Sequence, residues 1–280
     1  MPDLSAFQEL KYLDLVREIL DSGIESNDRT GVGTKSIFGH QMRYDLQEGF
    51  PLITTKKINF KHVITELLWI LRGDTDTDFL HKHNCKIWDD WSDENGELGP
   101  IYGKQWRRWD DTYMIDEYYG QEGSIDQISN LVDSLKSDPN SRRHLVTAYN
   151  PAEIPEKAPI ACHTMFQLYA RNGKLSLKLY QRSADLMVGV PYNIASYSLL
   201  LLMLAQVTGL EAHEFIHTFG DVHIYNNHVE GAVKQLSREP KDPPTVTLNE
   251  AVTDIFKFKH SDITLSRYNP HRFIKFPIAV

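Results

Sequence analysis

Four side chains near the middle of the chain have the types and spacing for covalent chemistry: Cys162, Arg182, Ser183 and Asp185. A thiolate is a competent nucleophile, and a guanidinium beside it lowers its pKa. Cys162 stands at the doorstep of a predicted β-hairpin whose return strand ends in Gln181-Arg182-Ser183-Ala184-Asp185, so the turn brings Arg182 back towards it. A loop then delivers Asn193 to the start of a long apolar helix. His163 is the obvious base on paper, but neighbours along a strand point to opposite faces, so a direct Cys162–His163 pair is not expected. The alternative for an isolated cysteine is a buried, inert thiol.

Other candidates flank this stretch. Glu66 falls within an apolar helix, where a carboxylate has a partner, a job, or a rotated and exposed position. Trp88, Trp91, Tyr102, Trp106 and Trp109 crowd a segment broken by Gly96, Gly99, Pro100 and Gly103. Flat rings on loops suit a heterocyclic ligand, or simply fill the core. Arg142-Arg143 before a strand fits a phosphate clamp or a solvated pair. Arg29, beside Gly31 and Gly33, fits an anion-gripping loop or a plain turn, and matches neither dinucleotide nor Walker patterns. His213, His217, His223 and His228 match no zinc spacing, and the expectation is no metal.

The elements that must position these groups are legible as patterns. Leu10, Leu13, Val16, Ile19 and Leu20 predict an amphipathic helix over 7–21 that stops at Gly23. A strand follows over 35–44, and a helix over 59–71. Residues 110–123, acidic and rich in tyrosine, read as a surface insertion, ahead of a helix ending near Asp138-Pro139. A strand over 144–149 precedes the hairpin, where Asn172-Gly173 between 165–171 and 174–180 is the strongest short turn signal in the chain. A helix over 194–208, a strand over 215–225 and a helix over 226–236 come next. Phe256, Phe258, Ile263, Leu265 and Ile274 suggest late strands. Without regular βαβ alternation, the predicted class is α+β: one domain over 1–280, a mixed or antiparallel sheet covered by helices.

Composition narrows the rest. Of 280 residues, 41% are hydrophobic and 24% charged, ordinary for a globular protein. A net charge of −8 argues against a dedicated nucleic-acid-binding domain. Two cysteines make no disulfide framework and suit a reducing compartment. The start, Met1-Pro2-Asp3-Leu4, has no signal-peptide pattern, and the run from Ile194 to Leu204 is too short to span a bilayer. A soluble, cytoplasmic protein is expected.

Taken together and in order, several motifs resemble the folate-dependent, cysteine-nucleophile thymidylate synthase family over essentially the whole chain. They are Asp28-Arg29-Thr30-Gly31-Val32-Gly33-Thr34, Glu66-Leu67-Leu68-Trp69, Ile87-Trp88-Asp89 and Gly99-Pro100-Ile101-Tyr102-Gly103-Lys104-Gln105-Trp106. Ser141-Arg142-Arg143, Cys162-His163, Tyr180-Gln181-Arg182-Ser183-Ala184-Asp185, Asn193-Ile194-Ala195-Ser196-Tyr197 and Gly220-Asp221-Val222-His223-Ile224-Tyr225 complete the set.

The resemblance implies a methyltransferase that turns dUMP into dTMP with 5,10-methylenetetrahydrofolate as one-carbon and hydride donor, without metal or flavin. Cys162 would attack C6 of the pyrimidine, with Glu66 relaying protons and Tyr102 helping at C5. Arg29, Gln181, Arg182 and Ser183 would hold the nucleotide, with Arg142 and Arg143 arriving from the second subunit of a homodimer. Asn193 would read the base, and His223 and Tyr225 the sugar. Folate would rest on Ile87, Trp88, Trp91, Asp185, Gly189 and Tyr192, with Asp185 also touching the nucleotide and serving catalysis, Lys56 at the glutamate tail and Ile278-Ala279-Val280 closing over the folate. The chain departs from the family pattern at Ala161, Tyr192 and Arg272, where proline, phenylalanine and proline are usual. The first two open the alternative of a hydroxymethylase that uses the same folate without hydride transfer. A nucleotide- or RNA-binding regulator is a third reading, weakened by the acidic charge.

Overall fold

The computed structural model describes residues 4–27, 31–111, 123–155 and 159–278. Arg29, Ala279, Val280 and residues 112–122 of the expected insertion lie outside them.

Helix α1 (Leu4–Ser22) buries Leu13, Val16 and Ile19 on one face and stops where the Gly23 N–H closes on the Ile19 carbonyl at 2.9 Å. Strands β1 (Ile24–Ser26) and β2 (Thr34–Asp45) follow. On α1, Glu9 accepts the backbone N–H and the hydroxyl of both Thr54 and Thr55 at 2.6–2.8 Å. Four donors on one carboxylate pin the segment that carries Lys56.

Helix α2 (Phe60–Arg72) buries Val63, Ile64, Leu67, Leu68 and Leu71, and Gly73 ends it in the left-handed conformation (φ 77°). The aromatic segment contains the short helices α3 (Asp78–Lys82) and α4 (Tyr102–Arg107), with irregular chain between them. A small ribbon of β3 (Trp109–Asp111) and β4 (Gly123–Ile125) flanks the insertion, and Asp126 caps α5 (Gln127–Ser137).

Strands β5 (Leu145–Thr147), β6 (His163–Arg171) and β7 (Lys174–Asp185) come next. Between β6 and β7, Asn172 and Gly173 both take positive φ (53° and 78°), the two-residue turn whose twist matches the strands it joins. Helix α6 (Gly189–Thr208) connects β7 to β8 (Glu211–Tyr225), and α7 (Val229–Leu236) follows. The main sheet runs β1-β2-β8-β7-β6-β5, antiparallel except for the parallel pair β7–β8, which α6 bridges as a crossover. The fold is α+β.

Two expectations need correction. The apolar helix begins at Gly189, not near Asn193. The Asp185 carboxylate takes the N–H groups of Met187 and Val188 at 2.9 and 3.0 Å, turning the chain early. Pro191 then sits in the first helical turn, where a missing N–H costs nothing. At 20 residues this helix is long and apolar enough to cross a membrane, but it is buried against β7, β8, α2 and α5 and serves as the core helix. The late strands are β9 (Thr245–Leu248) and β10 (Ile263–Ser266) only. Residues 255–257 form a 3-10 turn capped by Asp254, and Ile274 lies in irregular chain. There Phe258 and Ile274 are single apolar anchors, each buried without a repeating neighbour.

Candidate active site

The hairpin does place Arg182 on Cys162. The Arg182 N–H donates to the Cys162 carbonyl at 2.9 Å, extending the β6–β7 pairing by a residue. Its guanidinium donates to the Ile160 and Ala161 carbonyls at 2.5 and 3.1 Å, and Nη2 lies 3.7 Å from Cys162 Sγ. Burial pushes the Cys162 thiol up from its ordinary value, and Arg182 offsets part of that rise. A thiol depressed outright by its arginine is therefore not what the free protein holds. The other cysteine, Cys85, is fully buried and pushed up to about 11 by burial.

A bulge between His163 and Met165 shifts the register of β6 beside Cys162. His163 turns into an aromatic cluster, its ring 5.1 Å from Tyr102 and 5.3 Å from Tyr197. Burial drives its imidazole down to about 4, with the Asn193 amide offsetting part of the effect. A neutral, ring-packed imidazole is not the base for Cys162.

From the thiol a connected row runs to Glu66. The Tyr102 hydroxyl accepts the Cys162 N–H at 2.9 Å, and its ring meets Trp88 edge-on at 6.0 Å. The Trp88 indole N–H donates to Glu66 Oε1 at 2.9 Å. Glu66 sits on α2 between buried neighbours, and burial pushes its carboxyl up to about 7, with the Trp88 bond opposing. Trp91 packs edge-on to Trp88 at 5.7 Å, and Ile87 leans on the same core. The Tyr192 phenol is pushed up by burial first, lowered by the Asn59 backbone and raised by Glu66, so it belongs to this wall.

The ends of β7 and β8 collect the remaining groups. Parallel register pairs Ser183 with Asp221 and Asp185 with His223, while β2 pairs Thr34 with Tyr225. His223 Nδ1 meets Asp221 Oδ1 at 2.6 Å. Asp221 was not singled out from the sequence; residues two apart on a strand share a face, and that period was the available signal. Asn193, one turn into α6 beside Gly189, is 8% exposed, and its Oδ1 is buried with no hydrogen-bond partner among the described residues. The same amide interacts with the His163 imidazole closely enough to oppose its loss of basicity, so His163 is its neighbour in the protein and the amide keeps acceptor capacity for a ligand. Gln181 differs: His217 Nε2 engages its Oε1 at 2.8 Å, and its Nε2 donates to the Ser183 carbonyl at 3.1 Å. Both ends of that amide serve the protein.

Two predicted groups are not brought in. Lys56 is 3% exposed, donating to the Met187 carbonyl with its ammonium 4.5 Å from the Phe276 ring centre; burial lowers it to about 7, Asp185 opposing. Arg142 and Arg143 are exposed and make no side-chain hydrogen bond or ion pair among the described residues. Leu145, the first residue of β5, pairs with Gln167, about 16 Å along β6 from Cys162 at ~3.3 Å per residue, and Arg142 and Arg143 precede it at the end of the strand away from the thiol. No group of three His, Cys, Asp or Glu able to hold a metal gathers among the described residues.

The thiol and guanidinium make a direct prediction. Arg182→Gln raises the Cys162 pKa further and slows its alkylation by roughly tenfold at neutral pH, while Arg182→Lys, which keeps the charge, falls between. Iodoacetamide rates across pH read this, since Cys85 is out of reach. Equal rates for parent and Arg182→Gln would show that the guanidinium does not support the thiolate.

A comparison of the sequence with protein-family models agrees with this geometry. The thymidylate synthase model matches residues 10–280, from within α1 through the C-terminal segment, and takes in every side chain of the candidate site. With nearly the whole chain covered, the protein belongs to the thymidylate synthase family.

Proposed function

We propose that the chain catalyses reductive methylation of dUMP to dTMP, with 5,10-methylenetetrahydrofolate supplying the one-carbon unit and the hydride and leaving as dihydrofolate. The observation that carries this reading is the row Arg182–Cys162–Tyr102–Trp88–Glu66, which joins a nucleophile to a carboxyl titrating at about 7. The Cys162 thiolate adds to C6 of the uracil, and the pair it contributes makes C5 the nucleophile. Asn193 offers an acceptor to N3–H and a donor to O4, a pairing that suits uracil. Glu66 passes protons to and from the base through water, and the Tyr102 hydroxyl is placed to help at C5. Arg182, Ser183, His223 and Tyr225 take the phosphate and sugar, and Trp88, Trp91 and Asp185 face the folate.

Arg142 and Arg143 complete the phosphate site from a partner subunit of a homodimer. Their separation from Cys162 along β6 supports this, as do Met165, Tyr169 and Phe38, large apolar side chains 40%, 56% and 84% exposed on the sheet. A cytoplasmic setting suits two free thiols.

Tyr192 sustains one rival, since its hydroxyl in the Glu66 wall could favour water over hydride. Trp88, held by Glu66, favours reduction by excluding that water. With dUMP and methylenetetrahydrofolate the expected products are dTMP and dihydrofolate, seen as the absorbance of dihydrofolate. Hydroxymethyl-dUMP with tetrahydrofolate would instead establish the hydroxymethylase.

The pH dependence follows from two opposing ionisations. Chemistry needs the thiolate, which grows with pH, and the protonated Glu66, which declines above about 7. Turnover therefore climbs to about pH 7 and then levels. In Glu66→Gln, which preserves the Trp88 bond, turnover is about 10²–10⁴-fold lower and keeps climbing past pH 7. A levelling that survives the substitution assigns the titration elsewhere.

The shared site is tested by mixing. Cys162→Ser and an Arg142→Ala, Arg143→Ala variant are each close to inactive, and random mixing restores about a quarter of the sites. No recovery after subunit exchange rules out the shared arrangement.

A further inference from the structure

His228 has no role in the chemistry above, yet it sits where three parts of the site meet. The side chain is fully buried. Its Nε2 lies 2.6 Å from the Pro277 carbonyl, and a carbonyl can only accept, so the proton is on Nε2. Nδ1 faces Asp185 Oδ1 at 3.7 Å, beyond a hydrogen bond but within electrostatic contact. The ring is clamped between Tyr225 at 5.4 Å and Phe276 at 5.2 Å, both edge-on.

The surroundings repeat the same connection by a second path. Phe276 packs where Gly231 has no side chain: a Cβ there would lie 2.4 Å from its ring. The Lys56 ammonium lies over the other side of Phe276 and donates to the Met187 carbonyl. Met187 and Val188 in turn donate to Asp185. Residues 276–277 are thus joined to the 185–188 turn twice, through His228 and through Lys56.

We propose that His228 is a positioning residue that makes the C-terminal segment and the Asp185 turn one cooperative unit, so that order in one is order in the other. Under the reading above, which this inference rests on for the role of Asp185, the unit couples the folate carboxylate to the segment beside it. His228 touches neither substrate; it acts through Pro277 and Asp185.

Two conservative variants separate this from a space-filling role. In His228→Gln the amide nitrogen reaches about where Nε2 lies and can still donate to Pro277; in His228→Asn it reaches only about as far as Nδ1. Amide hydrogen exchange of the full-length protein is followed at 186–190 and 273–278. His228→Asn is expected to speed exchange in both segments together, by about tenfold, the loss of one neutral hydrogen bond, with His228→Gln within about twofold of the parent. In turnover, His228→Asn raises KM for the folate by a similar factor and leaves KM for dUMP within about twofold. Faster exchange confined to either segment, or equal behaviour of the two variants (equal failure to fold included), overturns the proposal. The exchange measurement needs no substrate, so it stands apart from the product assay and from the reading that assay tests.

Discussion

Everything in the site depends on one guanidinium held at the mouth of a hairpin. Arg182 is partly buried, and its donors are committed to the Ile160 and Ala161 carbonyls before it reaches the Cys162 sulfur. That commitment fixes the loop that carries the nucleophile and leaves a positive charge beside it. Burial alone would leave a thiol inert, as it leaves Cys85. At Cys162 the charge works against burial without overcoming it, so the sulfur stays protonated until a substrate alters its surroundings. A resting thiol is protected from adventitious alkylation and oxidation.

The sheet makes that arrangement transferable to the other groups. Because β7 and β8 are parallel, their C-terminal ends coincide, and Ser183, Asp185, Asp221, His223 and Tyr225 arrive on one rim. The crossover that parallel pairing requires is α6, whose first turn carries Gly189, Tyr192 and Asn193 over the same rim. One topological choice thus gathers onto one rim polar groups as far apart in the chain as Ser183 and Tyr225. Antiparallel pairing of these strands would have sent β8 away from Arg182.

How much of this was legible in the sequence depended on whether the cause was local. Asn172-Gly173 announces a type I′ turn, and once the turn is known, the Arg182–Cys162 encounter follows by counting along two strands. Leu67, Leu68 and Leu71 announce α2, and Glu66 among them announces a perturbed carboxyl. Where a distant partner decides, the pattern misleads. Asp185, itself outside the apolar run, accepts the N–H groups of Met187 and Val188 and turns the chain so that α6 begins four residues early. Lys56 looks solvent-seeking in sequence, but Glu9 fastens the preceding threonines and the Met187 carbonyl and Phe276 receive its ammonium. Phe258 and Ile274 are apolar without a period, and they fill gaps in the core without forming strands. Gln181 is expected at the nucleotide from the resemblance alone, and no sequence pattern reveals that His217 on the adjoining strand engages its amide oxygen in the free protein.

Charge explains why a site of this kind is left open on one side. The chain carries a net −8, yet the proposed substrate is a dianion that must be drawn in and held. Within one protomer the described cation beside the sulfur is Arg182, already engaged with two carbonyls, and Lys56 is spent on the Asp185 turn. Arg142 and Arg143 make no side-chain hydrogen bond or ion pair among the described residues, and they precede β5, whose first residue, Leu145, pairs with Gln167, about 16 Å along β6 from Cys162 at ~3.3 Å per residue. No side chain spans that distance, and moving β5 would break a ladder that buries Val146 against Phe166. Under the proposed homodimer, a two-fold axis that brought the remote end of one sheet to the rim of the other would supply the missing cations without rearrangement. On that geometry the pair is kept free of intrachain partners for a reason: two arginines satisfied within their own protomer would have nothing left to offer a phosphate in the next.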